Sequence, residues 1–128
     1  MKRIIGGKIP FTLIILLFAT QVLARQTAPA SQLKYDHNYS FAEVQDFLKT
    51  VSEDAPQLSS LHTIGKSFLG KDLLVLEITN KATGGALTKP GFWMDGNLHA
   101  SEVFGCAVCL NTIETLLSRY GRDEEITR

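Results

Sequence analysis

A strand, a tight glycine turn and a helix follow one another between Gly91 and Tyr120, and that succession narrows the fold to the α/β class. Gly91-Phe92-Trp93-Met94 is wholly apolar, which suits a central strand buried on both faces. It stops at Asp95-Gly96. From about Ala100 to Tyr120, Val103, Ala107, Leu110, Ile113, Leu116 and Leu117 recur at helical spacing, and Gly121 suits the C-terminal cap. Proteins of this class place reactive groups at the carboxyl edge of the sheet. Here that edge carries Asp95, Gly96, Asn97, Leu98, His99, Ala100, Ser101 and Glu102.

Upstream elements support the same class. Ser40-Phe41-Ala42-Glu43 has the S-x-x-E form of a capping box. Phe41, Val44, Phe47, Leu48 and Val51 then give one apolar helix face, and Pro56 bars continuation. Leu61–Ile64 and Leu73–Ile78 read as an antiparallel pair joined through Gly65 to Asp72, with Gly65 and Gly70 as turn residues. Asn80 to Pro90 reads as a loop.

The start of the chain reads as an address. Lys2, Arg3 and Lys8 precede Ile9–Ala19, a stretch of 11 residues interrupted only by Pro10 and Thr12. A bilayer-crossing helix takes about 20 apolar residues, so this is the core of a signal peptide, with cleavage expected after Ala24. The organisation expected is therefore a signal peptide over 1–24, a polar linker over 25–38 and a domain over 39–128. Export implies a secreted or periplasmic protein that meets a membrane only in transit. From Arg25 onward the chain carries 10 basic against 13 acidic residues, a balance that excludes a strongly basic nucleic-acid binder.

His99 and Glu102 stand three residues apart where the second helix is expected to begin, so an imidazole nitrogen and a carboxylate can face one point. That donor pair suits a zinc ion; a satisfied histidine near a helix start, with a glutamate that stabilises the helix dipole, is the alternative. His37 and His62 lie before and within the hairpin region and read as surface or strand positions. Glu114 and the Asp123-Glu124-Glu125 run read as solvated surface. Cys106 and Cys109 form a C-x-x-C that could serve thiol-disulfide exchange, though their place in the second turn favours packing thiols.

Asp95-Gly96-Asn97-Leu98-His99-Ala100-Ser101-Glu102 resembles the D-G-x-x-H-x-x-E segment of the zinc metallocarboxypeptidases of the carboxypeptidase A and B type. Ile64 to Ile78 is similar to that family's I-G-x-S-x-x-G-[RK] hairpin, and Tyr39–Val44 to its tyrosine-led entry into the first helix. The resemblance implies an incomplete α/β/α sandwich with a mixed β-sheet. It implies that His99 and Glu102 supply two of three protein ligands to one zinc ion, and that a peptide or protein C-terminus is the substrate. The family's third ligand, a histidine, its carboxylate-binding arginine, its substrate-side tyrosine and its general-base glutamate are expected beyond Arg128, so no catalytic base is expected within the chain. Many members place arginine between the ligands and an aromatic residue after the glutamate; Ser101 and Val103 stand there instead, which leaves the substrate subsites open. A non-catalytic exported peptide-binding module is the alternative on the same fold. The chain alone is expected to be inactive, and aggregation-prone through an uncovered sheet.

Overall fold

The computed structural model describes residues 33–128. The expected signal peptide and the first part of the expected linker lie outside the described residues.

Helix α1 runs from Phe41 to Asp54 and opens on the capping box the sequence announces. The Glu43 amide donates to Ser40 Oγ at 3.3 Å, and the Ser40 amide donates to Glu43 Oε2 at 2.8 Å. Two otherwise orphaned amides at the helix start are thereby satisfied. Leu48 and Val51, three residues apart on one face, are buried. At the far end Ser59 turns its hydroxyl back to the Ala55 carbonyl at 2.9 Å, which ties the helix exit to the first strand.

Strands β1 (Ser59–Lys66) and β2 (Asp72–Ile78) pair antiparallel, with Ser59 opposite Ile78 and Lys66 opposite Asp72. The register slips between Thr63 and Gly65, so Ile64 is the extra residue of a bulge and is exposed. Residues 67–71 close the hairpin. Gly70, at φ 75°, takes the left-handed position, and the Lys66 ammonium meets Asp72 Oδ1 at 2.6 Å beneath the turn. Helix α1 packs on both strands.

After β2 the chain makes two short 3-10 turns, Lys81–Thr83 and Ala86–Thr88. Asn80 holds the first, accepting from the Ala82 amide at 2.9 Å, and donates to the Tyr120 hydroxyl at 2.6 Å. Helix α2 spans Phe104–Arg119, burying Leu110 and Leu117, and the short α3 spans Glu124–Thr127.

Four expectations need correction. Gly91–Met94 forms no strand: Phe92 is 92% exposed and Trp93 65%, because among the described residues β1 and β2 pair only with each other and no third segment offers a ladder. Among the described residues the sheet is accordingly two-stranded and antiparallel rather than mixed. Helix α2 starts at Phe104, four residues later than the pattern suggested, since residues 99–102 form a separate turn before it. Part of the expected linker is also anchored. The Tyr35 hydroxyl donates to Glu114 Oε2 at 2.8 Å and accepts from Asn111 at 3.2 Å, both on α2.

Candidate metal centre

The segment between the apolar run and α2 is shaped by two glycines and an asparagine. A Cβ on Gly96 would stand 2.4 Å from the Gly105 carbonyl carbon and 2.8 Å from the Cys106 nitrogen, so this backbone approach requires glycine. Asn97 has φ 61° and its Oδ1 accepts from the Cys106 amide at 3.0 Å. Beyond it, the Glu102 amide donates to the His99 carbonyl at 3.0 Å, closing one turn. That turn puts His99 Nδ1 2.9 Å from Glu102 Oε1. The two side chains are 72% and 59% exposed, so solvent and a ligand can reach both.

The other histidines also have acidic neighbours. His37 lies between Asp36 Oδ1 at 2.7 Å and Glu43 Oε1 at 3.0 Å, and His62 Nε2 is 3.7 Å from Glu77 Oε2 across the hairpin. Bonds to these two carboxylates, Asp36 first, raise the His37 pKa above its ordinary value. Hydrogen bonds from Ser40, aided by His37, hold Glu43 at about 2. An imidazole beside a carboxylate is thus not unique to residues 99–102, and among the described residues no group of three histidine, cysteine or acidic side chains is arranged to hold a metal ion. Cys106 and Cys109 are unpaired thiols, both half-buried. Burial raises the pKa of each, with the charge of Asp95 adding to the effect at Cys109, which opposes the thiolate that redox chemistry needs. Glu114 is engaged by Tyr35 and Asp123 caps α3 through the Glu125 amide at 3.0 Å.

Comparison with known proteins sets His37 apart from the other two histidines. The sequence profile of the zinc carboxypeptidase family, peptidase M14, matches residues 44–128, more than half of the chain. The chain belongs to the zinc carboxypeptidase family. It is 37% identical over 95 residues to carboxypeptidase D of Drosophila melanogaster, covering 74% of this chain and 7% of that protein. With mouse carboxypeptidase M it shares 33% identity over 98 residues, 77% of this chain and 21% of the relative. With chicken carboxypeptidase Z it shares 35% over 77 residues, 60% and 12% respectively. The chain therefore spans less than a quarter of the length of each of these relatives. His62, His99 and Glu102 fall inside the matched region, and His37 falls outside it.

His99 and Glu102 meet the chemical demands of a zinc donor pair. Imidazole nitrogen and carboxylate oxygen are both zinc ligands, and two ligand atoms of a tetrahedral ion with bonds of about 2.0–2.1 Å stand about 3.3 Å apart. The observed 2.9 Å contact is a hydrogen bond, a few tenths of an ångström shorter than that ligand spacing. Sequence reading placed Gly96 in the turn but gave no role to Asn97 or Gly105. The Gly-Asn pair was itself a turn signal, since asparagine tolerates the left-handed region better than most residues.

Proposed function

We propose that this chain carries the first two metal ligands of a zinc-dependent carboxypeptidase, with His99 Nδ1 and Glu102 holding one zinc ion. The observation that carries this reading is the 2.9 Å approach of His99 and Glu102 within the region matched by the family profile. When bound, zinc supplies a polarised water and a Lewis acid for the substrate carbonyl. The chain's own part is to present two donors side by side on an exposed turn. Nδ1 gives up the proton it shares with Oε1 when a cation is held.

The reading extends to an exported enzyme acting on the C-terminus of a peptide or protein, with a signal peptide over 1–24 and secreted or periplasmic placement. The exposed apolar run Gly91–Met94 supports a larger α/β/α sandwich in which that run joins a mixed sheet. A third histidine ligand and a general-base glutamate then come from chain beyond Arg128.

The test is peptidase activity. The 128-residue chain is expected to release no C-terminal amino acids. The gene product including whatever follows Arg128 is expected to release them, and to stop when zinc is chelated or His99→Ala is introduced. Release by the 128-residue chain would contradict the division of the site, and release unaffected by His99→Ala would contradict the ligand role.

A further inference from the structure

We infer that Asn97 is a positioning residue: its side-chain amide clamps the base of the arch on which His99 and Glu102 stand. The inference rests on the reading of those two residues as ligands. Among the described residues Asn97 is the only one other than glycine with a positive φ, and that backbone turn aims its side chain at the start of α2. Val103, at the N-cap of α2, makes no side-chain bond to the helix. The Cys106 amide, one of the donors a helix start leaves unpaired, is instead satisfied by Asn97 Oδ1 from nine residues upstream at 3.0 Å. Gly96 and Gly105 interlock beside this bond, for a Cβ on Gly105 would lie 3.0 Å from the Asn97 nitrogen.

Residues 98–104 therefore rise from a base pinned at both ends. Inside the arch successive turn bonds hold the backbone, from the Glu102 amide to the His99 carbonyl and from the Gly105 amide to the Glu102 carbonyl, each at 3.0 Å, beside the exposed His99–Glu102 side-chain contact. Neither His99 nor Glu102 is buried, so packing does not fix them. Their spacing depends on where the base is held. Loss of the acceptor at 97 frees the Cys106 amide and widens the range of His99 to Glu102 separations, which lowers affinity for an ion that needs both.

The experiment compares the full chain with Asn97→Gly, which keeps the left-handed backbone and removes the acceptor, and Asn97→Asp, which restores an acceptor. Hydrogen exchange at the Cys106 amide reports the clamp, with the Leu110 amide as a control for the helix. Zinc alone is titrated, and uptake is read from the His99 ring nitrogens by NMR. Asn97→Gly is expected to deprotect Cys106 but not Leu110 and to weaken zinc uptake about fivefold, the size of one lost helix cap, with Asn97→Asp recovering both. Deprotection of Cys106 with unchanged zinc uptake would reduce Asn97 to a helix cap and overturn the positioning role, as would a Cys106 amide indifferent to the substitution. A wild-type chain in which Cys106 is protected but His99 takes up no zinc would overturn the ligand reading itself.

Discussion

At the scale of single residues, the facing of His99 and Glu102 needs no helix. One i to i+3 turn brings Nδ1 and Oε1 to 2.9 Å, the same juxtaposition the spacing suggested for a helix start. Glu102→Gln keeps the size of the side chain and removes its charge. It is expected to weaken zinc uptake by more than about tenfold, the lower end of what loss of even an outer hydrogen-bond partner brings; isothermal titration would measure it. The thiols make a different prediction. Because burial raises both, Cys106 and Cys109 are expected to alkylate with iodoacetamide at neutral pH more slowly than free cysteine.

His37 and Glu43 give a pH dependence of two opposite signs. His37 is raised from 6.5, so what it contributes is fully present below that value and lost as pH rises through its folded value. Glu43 is lowered from 4.5 to about 2, so its contribution is present above 4.5 and lost as pH falls through about 2. The tie between residue 37 and α1 is accordingly expected to persist between these limits. NMR titration should find the His37 midpoint above 6.5, and Glu43→Gln should lower it; a midpoint unchanged by that substitution would show that the carboxylate does not bear on the imidazole.

At the scale of elements, what was legible in the sequence is what local chemistry decides. The Ser40–Glu43 box and Pro56 bracket α1, and the two β-type runs fold as a hairpin that turns at Gly70, while Gly65, expected in the connection, pairs with Leu73 inside the ladder. The strand expected at Gly91–Met94 was not legible in the same way. Apolar character states that a segment wants burial, but strand geometry requires a hydrogen-bonding neighbour, which among the described residues is missing. The late start of α2 has a related cause, since the clamp from Asn97 and the Gly96–Gly105 approach lie between residues far apart in sequence and carry no periodic signal. Gly96→Ala would force a Cβ into the backbone of residues 105 and 106, so it is expected to detach the 95–102 segment from α2, seen as amide shifts at Gly105 and Cys106. Leu110→Ala, at a side chain only 2% exposed, is expected to destabilise the fold by about 2–5 kcal/mol in chemical denaturation.

At the scale of the whole molecule, a small buried core coexists with much exposed apolar surface. Leu48, Val51, Leu110 and Leu117 are buried, while Phe68, Leu87, Phe92, Trp93, Leu98 and Phe104 face solvent. Surface of that kind marks sites of association or aggregation. Trp93 is the sole tryptophan, so its fluorescence is expected to show a water-exposed indole open to iodide quenching. A shielded emission would mean that the run is covered. Whatever covers that surface, the account turns on whether the exposed turn at 99–102 holds a metal ion. Zinc titrated into the 128-residue chain, followed through the ring nitrogens of all three histidines, tests this most directly. Selective shift of His99, abolished by Glu102→Gln, is the predicted result; a response at His37 or His62 with His99 silent would contradict it.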